Sequence, residues 1–360
     1  MHSSHTHVYY AGFEVGSGIS GLTVFPADDL TLAQDLATLP SFIADGDTAT
    51  LLKGSDPDAT LSDALRQDEY VLAWQGHTYF LGNLLAQGNH LDNAFSDERR
   101  YWSEHAQVLL LCLACILIPE RHFELRLVTA LPVSLYDRER RQRVRHSLSQ
   151  VYRFTFNGRE REVIVKCGYV AMEGQGILIH CGDDHSEQAV IDIGERTTDL
   201  IAASGQRLIG RLCKGEQFGV GHLVEALQQL VHHHRRTLSV EKAHALLKAY
   251  AHHLSYPKIT TATGPLSDEE ITGTIEHAIQ RVARPLSSHL SGTWNVEDAP
   301  AGSQFDTIYL GGGGAYYFES VVRSTLHDCY IVTVPDPQDA NIRGYAELAV
   351  SLDEERWEVF

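Results

Sequence analysis

The sequence contains no apolar run that matches the length of a membrane-spanning helix. The run Val108–Ile118 is the relevant candidate, and it is well short of the roughly 20 apolar residues that such a helix requires. We recognise no signal peptide ahead of this run. The sequence therefore predicts a protein without direct membrane contact.

The six cysteines lack the spacing of a disulfide framework, which favours a reducing, cytoplasmic location. Cys112 and Cys115 form a Cys-x-x-Cys pair, which in a polar and accessible setting would suggest redox or metal chemistry. Both lie inside the apolar run, so we predict that they are small residues of the hydrophobic core.

Positive charge is also scarce, since the formal net charge is −18. Such a surface repels the phosphates of nucleic acids and of anionic lipids. We therefore expect any link to DNA to run through a partner protein and not through direct DNA contact. The 360 residues, 43% apolar and 21% charged, are typical of a globular protein large enough for two domains.

The segment Ala189–Ala202 predicts a strand, a tight turn and a returning strand. Gly194 in the turn lets the backbone approach a ligand, and successive N–H groups in such a turn form a concave site suited to phosphate. Asp192, at the mouth of the turn, is placed to hold the water shell of Mg²⁺. The alternative is an ordinary hairpin rich in Asp, Gly and Thr.

A weaker copy of this pattern occurs in Phe13–Val24, where Glu14 lies two residues before Gly16. Two similar hairpins far apart in one chain suggest a duplicated architecture that holds one ligand between its halves.

A third segment, Asp306–Ala315, predicts a strand that runs into four glycines. Each glycine costs conformational entropy on folding, so a run of four indicates that a ligand or another backbone comes close. The alternative is a flexible surface turn.

In order, these segments are an acid-x-Gly-x-Gly pattern, an Asp-Ile-Gly-x-x-Thr-Thr-Asp pattern and a Gly-Gly-Gly-Ala pattern. The combination resembles the actin, sugar-kinase and heat-shock-chaperone ATPase superfamily, and more narrowly the ParM (StbA) group of actin-like proteins. The segments that are similar to this narrower group are Glu69–Asn83, Val128–Val133, Gly168–Gly174 and Ala340–Tyr345.

The resemblance implies an α/β fold of the actin-like (ribonuclease H-like) type, duplicated into two domains with a nucleotide cleft between them. The first domain would comprise residues 1–185, with the C-terminal helix 341–360 packing back on it. The second domain would comprise residues 186–340.

The resemblance also implies a site for Mg²⁺ and ATP, or GTP. Asp192 and Glu14 would hold the metal through water, and Glu173 would orient the attacking water, because phosphoryl transfer depends mainly on positioning and charge stabilisation. The residues that would contact the phosphates or the adenosine are Gly16, Ser17, Gly18, Gly194, Arg196, Thr197, Thr198, Gly311, Gly312, Gly313, Gly314 and Ala315.

Two positions depart from the family pattern. Glu14 replaces the usual aspartate and adds a methylene that could displace the metal. Gly21 stands where many relatives carry a lysine directed at the phosphates, which predicts hydrolysis that is weaker than binding. For Glu14 and Glu173 the alternative is an exposed carboxylate without a role in catalysis.

The implied function is a slow ATPase that polymerises into nucleotide-dependent filaments, for plasmid or DNA segregation or as a prokaryotic cytoskeleton. Its partners would be other copies of the chain and a DNA-binding adaptor protein. The alternatives are a nucleotide-binding scaffold or switch with little hydrolysis, and a small-molecule kinase of the same superfamily.

Several local patterns predict secondary structure directly. Asn157-Gly158 predicts a β-hairpin turn, and Ser267 followed by Glu270 predicts a capped helix start. We also predict a helix over Gly168–Gly174.

Two groups of polar residues admit more than one interpretation. The predicted helix Tyr136–Ser147 carries five arginines, which form either a solvated face or a filament or DNA contact. The histidines His2, His5 and His7, together with His232–His234, invite a metal interpretation. For the second group we favour a helix end, where cations complement the helix dipole.

Overall fold

The computed structural model describes residues 6–30, 35–53, 60–92, 98–262 and 264–358. His2 and His5 lie outside this range. The chain forms two compact units: the first contains residues 1–131, 135–172 and 342–360, and the second contains residues 132–134 and 173–341. The change from one unit to the other thus falls at residue 173 and not at the expected residue 186. The reason is that the helix Gln175–Cys181 packs on strands of the second unit.

In the described part of the first unit, ten strands form one mixed sheet. Their order is β3-β2-β1-β8-β10-β9-β5-β6-β4-β7. The strands are β1 (His7–Val15), β2 (Ile19–Pro26), β3 (Asp35–Pro40), β4 (Ile43–Asp45), β5 (Glu69–Trp74), β6 (His77–Gly82), β7 (His90–Asp92), β8 (His122–Leu131), β9 (Gln150–Phe156) and β10 (Arg159–Met172). The helices α1 (Thr48–Leu52), α2 (Leu61–Ala64), α3 (Glu104–Leu117) and α4 (Arg138–Leu148) accompany them.

Helix α3 forms the centre of the first unit's core. Its residues Val108–Cys115 are buried among apolar side chains of the sheet, including Phe13 and Leu125. Cys112 and Cys115 are part of this core, which confirms the prediction of a packing role. Burial raises the pKa of both thiols, so neither is a thiolate at neutral pH.

The Asn157-Gly158 turn joins β9 to β10 as predicted. Both residues have positive φ, 49° and 78°, which is the backbone that this type of two-residue turn requires. The side chain of Asn157 also accepts a hydrogen bond from the N–H of Val71 on β5 (2.9 Å), which ties the turn to the next strand.

The predicted helix over Gly168–Gly174 is wrong. Residues 169–172 continue β10 and pair in parallel with Val128–Leu131 of β8. The helix α5 (Gln175–Cys181) begins only after Gly174, whose φ of 88° breaks the strand. The pairing with β8 outweighs the local pattern from which the helix was predicted.

Four of the five arginines on α4 have partners in the chain, and for Arg140 and Arg143 the partners are carboxylates. Arg140 pairs with Asp137 and Glu98, Arg143 pairs with Glu139, Arg145 donates to the carbonyl of Cys167, and Arg141 lies over the ring of Tyr136. This agrees with a solvated helix face, although exposed ion pairs of this kind add little to stability.

In the described part of the second unit, the main sheet has the order β13-β12-β11-β17-β18, with β14 also paired to β12. The strands are β11 (Glu187–Ile193), β12 (Thr198–Ser204), β13 (Arg207–Leu208), β14 (Lys214–Glu216), β15 (Thr260–Thr261), β16 (Gly264–Pro265), β17 (Thr307–Gly311) and β18 (Ile331–Thr333). The helices are α6 (Gly221–His233), α7 (Val240–Ala251), α8 (Asp268–Thr293) and α9 (Ala315–Thr325).

Apolar faces of α6, α8 and α9 pack against the central strands to form the second core. Helix α8 starts with the predicted capping box, in which Ser267 accepts from the N–H of Glu270 and the Glu270 carboxylate accepts from the N–H of Ser267. Helix α6 ends at His233, in agreement with the interpretation of this histidine run as a helix end.

The chain returns to the first unit in α10 (Ala340–Ser351) and the following 3-10 helix Glu354–Trp357. Two glycines make room for this segment. A Cβ on Gly12 would lie 2.1 Å from the carbonyl oxygen of Ile342, and a Cβ on Gly168 would lie 2.4 Å from the ring of Trp357. Substitution of either glycine would therefore disturb the packing of this segment.

Both units repeat one arrangement. In the first unit β1 forms an antiparallel hairpin with β2 and pairs in parallel with β8, which pairs in parallel with β10. In the second unit β11 forms a hairpin with β12 and pairs in parallel with β17, which pairs in parallel with β18. This topology confirms the predicted duplication.

None of the helices in the described ranges combines the length and the apolar composition needed to cross a bilayer.

Candidate functional site

The β11–β12 hairpin places two buried aspartates side by side. Asp192 on β11 and Asp199 on β12 are direct partners in the register of the hairpin. Directly opposed residues of antiparallel strands have Cβ atoms about 5 Å apart and point to the same face. Asp199 Oδ1 accepts a hydrogen bond from the N–H of Val133 (2.7 Å), and almost none of either side chain is exposed.

Glu173 adds a third carboxylate. It follows the last residue of β10, it is 9% exposed, and it accepts a hydrogen bond from the hydroxyl of Thr197 (3.3 Å). Its charge acts on both Asp192 and Asp199. The structure therefore brings together two of the predicted site residues, Glu173 and Asp192, with Asp199.

The ionisation of this cluster is unfavourable without a cation. Burial, and then the charge of Glu173, raise the pKa of Asp192 to about 7, while the hydrogen bond from Asn341 acts in the opposite direction. Burial and the charges of Glu173 and Asp192 raise the pKa of Asp199 well above its ordinary value. A proton or a positive ion at the cluster would relieve this repulsion.

The glycine run packs directly against this hairpin. Gly312 has a φ of 74°, and a Cβ at this position would lie 2.4 Å from Asp192 Oδ1 and 2.5 Å from the carbonyl oxygen of Ile193. The N–H of Gly314 donates to that same carbonyl (2.7 Å), and α9 begins at the next residue. Close approach of the hairpin thus accounts for Gly312 and Gly314.

The other two glycines of the run differ from each other. A Cβ on Gly311 would lie 2.4 Å from Cδ1 of Ile177 on α5. On Gly313 the nearest atom would be Cγ of Gln338 at 4.0 Å, so packing within the chain does not require a glycine there.

Asn341 connects the aspartate with the start of α5. Its Nδ2 donates to Asp192 Oδ2 (2.6 Å), and its Oδ1 accepts from the N–H groups of Gly174 (3.1 Å) and Ile177 (3.2 Å). The sequence marks Asn341 only as part of a family motif. Its link to Asp192 is not detectable from spacing because the two residues are far apart in the chain.

Within the β11–β12 turn, some predicted contacts are already used by the protein. Thr198 is fully buried and its hydroxyl donates to the carbonyl of Phe218 (2.9 Å), while the N–H of Gly194 donates to the carbonyl of Thr197 (2.9 Å). Arg196 is exposed at the tip of the turn. Arg196 is therefore the most exposed of the predicted side chains in this turn, while the hydroxyl of Thr197 already donates to Glu173.

In the first unit, the β1–β2 hairpin holds Glu14, Gly16, Ser17 and Gly18 as predicted. Glu14 is partly buried and faces Gly21 across the hairpin. A Cβ on Gly21 would lie 2.4 Å from Cδ1 of Ile342, so α10 covers this position.

A cation reaches the first turn from elsewhere in the chain. Arg100 lies in the 3-10 helix Glu98–Trp102, is largely buried, and donates from Nη1 to the hydroxyl of Ser17 (2.6 Å). The sequence does not reveal this contact, because no local pattern links Arg100 to a turn more than eighty residues earlier.

Two sequence models of protein families match the chain. Residues 32–176 match the N-terminal domain of actin-like proteins, and residues 190–324 match the C-terminal domain of the archaeal MreB-like actin homologues. Together they cover more than half of the chain. No curated protein matches the chain in sequence.

Solved structures share the fold at low sequence identity. The archaeal actin homologue Ta0583, in complex with ADP, is 19% identical, with a TM-score of 0.68 over 96% of this chain and 100% of its own. The subunit of a 15-stranded ParM filament from Clostridium botulinum is 16% identical, with a TM-score of 0.69 over 96% and 99%. ParM of Bacillus thuringiensis with AMPPNP is 11% identical, with a TM-score of 0.62 over 96% and 99%.

At these identities the structural likeness concerns the fold, while the two sequence models carry the family assignment. With both of its units matched and the duplicated topology in place, the chain belongs to the actin-like protein family and has the fold of the ParM and archaeal actin structures.

Proposed function

We propose that this protein is an actin-like filament subunit that binds ATP, or GTP, with Mg²⁺ and hydrolyses it slowly in the cytoplasm. The observation that carries this proposal is the buried cluster of Glu173, Asp192 and Asp199 beside the turn at Gly312. A cluster of acids that is unfavourable when fully ionised is suited to a ligand that arrives with a cation.

The choice of a nucleotide draws on relatives of the same fold. Ta0583 was solved with ADP and Bacillus thuringiensis ParM with AMPPNP. We propose that this chain binds the same class of ligand. Its phosphates would lie near Arg196 and Thr197, and its adenosine near the glycine turn from Gly311 to Ala315.

The chemistry of the acid cluster fits Mg²⁺. Asp192 keeps Oδ1 in the space that Gly312 leaves open, since any Cβ there would come within 2.4 Å of it. In the described residues, no group of three or more metal-ligating side chains forms a ready-made cage. Mg²⁺ does not need one, because it usually keeps several waters and uses one or two carboxylates plus the phosphates.

The metal, when bound, would neutralise charge on the phosphates. The chain's own contribution is positional: Asp192 would hold the metal's waters, and Glu173 would orient the attacking water and accept its proton. The hydrogen bond from Thr197 to Glu173 restricts the orientation of that carboxylate.

For the first unit we propose that the β1–β2 turn, with Glu14, Gly16, Ser17 and Gly18, is a second phosphate-binding turn. Arg100 supports this proposal, because its guanidinium brings positive charge to Ser17 although position 21 is a glycine. Such charge favours a bound polyanion.

We further propose DNA or plasmid segregation as the cellular role, with a DNA-binding adaptor between filament and cargo. A net charge of −18, together with the carboxylate partners of Arg140 and Arg143 on α4, supports an adaptor over direct DNA contact.

A nucleotide-binding switch with little turnover is the second candidate. Two observations favour it. Ile342 packs against Gly21, and the hydroxyl of Thr198 donates to the carbonyl of Phe218. Neither position therefore offers a side-chain group to a phosphate.

Ultracentrifugal pelleting with Mg-ATP, Mg-ADP or no nucleotide, with phosphate release followed in the same samples, tests the proposal. We expect ATP-dependent pelleting and slow phosphate release. The variant Glu173→Gln should bind ATP and still pellet but release phosphate about a hundredfold more slowly, since general bases contribute about 10²–10⁴-fold. The exposed Glu297→Gln is the matched control.

Pelleting and binding without phosphate release in the wild-type protein would favour the switch. Neither pelleting nor nucleotide binding over a wide protein concentration range would contradict both candidates.

A further inference from the structure

The amide of Asn341 makes three hydrogen bonds, and all three partners belong to the acid cluster or to the helix beside it. It donates to Asp192 Oδ2 and accepts from Gly174 and Ile177, and the residue is 3% exposed. Because one rigid amide makes all three bonds, it fixes the positions of its partners relative to one another.

On one side, the amide fixes the backbone that carries Glu173. Helix α5 has Gly174 in its N-cap position, and a glycine has no side chain with which to cap the helix. Asn341 supplies the missing acceptor from a distant part of the chain. Since Glu173 is bonded directly to Gly174, anchoring the Gly174 N–H also holds the backbone from which the Glu173 side chain extends.

On the other side, the amide fixes the rotation of the Asp192 carboxylate. Oδ2 is the oxygen that accepts from Asn341, and Oδ1 is the one beside Gly312. A carboxylate with one oxygen anchored and the other confined has little freedom to rotate.

We propose that Asn341 is a positioning residue that sets the placement of Asp192 relative to Glu173. The inference rests on the proposed function, because it assigns these two carboxylates to the metal's waters and to the attacking water. Asn341 would act through Asp192 and the backbone beside Glu173, without contacting the metal's waters or the attacking water. Partners of this second layer typically contribute 10- to 100-fold to metal affinity or activity.

Two variants separate the contacts of Asn341. Asn341→Asp keeps an acceptor for the N–H groups of Gly174 and Ile177 but cannot donate to Asp192 when ionised. Asn341→Ala loses all three bonds. Ser267→Ala is the matched control, because it removes an N-cap from α8, away from the acid cluster.

Three measurements apply to each variant: phosphate release at saturating Mg-ATP, ADP affinity with Mg²⁺ and with a chelator, and hydrogen exchange of the Gly174 and Ile177 amides. We expect both Asn341 variants to slow phosphate release at least about tenfold. Asn341→Ala should also reduce the gain in ADP affinity from Mg²⁺ about tenfold, with affinity in chelator changed less than about twofold. The two amides should stay protected in Asn341→Asp and lose protection in Asn341→Ala.

Wild-type rates and Mg²⁺ dependence in both Asn341 variants would overturn the positioning role while leaving the proposed function intact. Losses of the same size in Ser267→Ala would also overturn it, since they would reflect stability alone. If Asn341→Ala does not fold, the rate of phosphate release by Asn341→Asp tests the positioning role on its own. A wild-type protein that binds no ADP would contradict the proposed function and this inference together.

Discussion

Asp199 is a buried carboxyl group with like-charged neighbours, and this has a consequence for stability. Its folded-state pKa lies well above the value of about 3.9 for an unfolded chain, chiefly because of burial. The folded state therefore holds more protons than the unfolded state above about pH 4. The contribution of protonated Asp199 to the free energy of unfolding is therefore complete below about pH 4. It is lost as pH rises through the folded-state pKa of Asp199.

We expect Asp199→Asn to gain stability over the wild-type protein as pH rises from 5 to 8. The amide oxygen can still accept from Val133, but the variant has no charge at this position. The difference should grow by at most about 1.4 kcal/mol per pH unit, the free energy of one proton. Denaturant unfolding of the nucleotide-free protein at several pH values measures it.

Asp183→Asn is the control for that series. Hydrogen bonds from Ser186 and from the His185 and Ser186 backbones lower the pKa of Asp183, so its effect on stability should not vary between pH 5 and 8. If the difference in stability between the wild-type protein and Asp199→Asn also does not vary between pH 5 and 8, the raised pKa of Asp199 is contradicted.

At the residue scale, the sequence could predict only what a local motif contains. Glu173 and Asp192 lie in recognisable segments, and the structure brings them together with Asp199. Asn341 and Arg100 reach their partners through tertiary packing, so no spacing rule links them to the hairpins.

At the scale of elements, the connection between β17 and α9 allows a direct comparison of two adjacent glycines. Gly312 has a positive φ and no room for a Cβ, whereas Gly313 has room and no positive φ. The two substitutions therefore differ in two respects: the methyl group added at Gly312 meets the hairpin, and the backbone there has a positive φ.

We expect Gly312→Ala to lose about 1–3 kcal/mol of stability from overpacking and backbone strain. It should also weaken Mg²⁺-dependent ADP binding, because the new Cβ would displace Asp192. Gly313→Ala should change stability by no more than about 1 kcal/mol. Thermal unfolding and ADP titration measure both effects, and equal losses in the two variants would show that the hairpin contact is not the cause.

The sequence predicted elements well where a specific local interaction defines them. The Asn157-Gly158 turn and the Ser267 capping box are of this kind. The incorrect helix over 168–174 shows the opposite case, because residues 169–172 take their conformation from pairing with β8. Strand pairing between distant segments leaves no local pattern that identifies it.

At the scale of the whole molecule, net charge governs self-association. Each copy of the chain carries a formal net charge of −18, so copies that approach one another repel. Dissolved salt screens this repulsion over a distance of about 10 Å at 0.1 M. Contacts between subunits should therefore form more easily as ionic strength rises.

We expect the critical concentration for Mg-ATP-dependent pelleting to fall as potassium chloride is raised from about 0.05 M to about 0.3 M, because charge repulsion is screened. Pelleting at constant free Mg²⁺ and ATP measures it, with phosphate release as a check that nucleotide binding persists. A rising critical concentration would instead indicate subunit contacts made by complementary charges.

The repeated topology of the two units was predictable from the two similar hairpins, because the strand-turn-strand pattern and its acid and glycine recur in both. The boundary between the two units was harder to predict from the sequence, because residues 173–185 belong to the second unit only through their packing on its sheet.

The return of α10 and Trp357 to the first unit has a consequence for synthesis on the ribosome. A nascent chain that has emerged as far as Met172 still lacks the segment that lies against Gly12 and Gly168. The apolar face formed by Val128, Ala130 and Ala171 therefore stays uncovered while the whole second unit is translated. Although domains usually fold in the order in which they are made, here the first unit is completed last. A chaperone that binds nascent chains would find exposed apolar surface on that face until the C-terminal segment emerges.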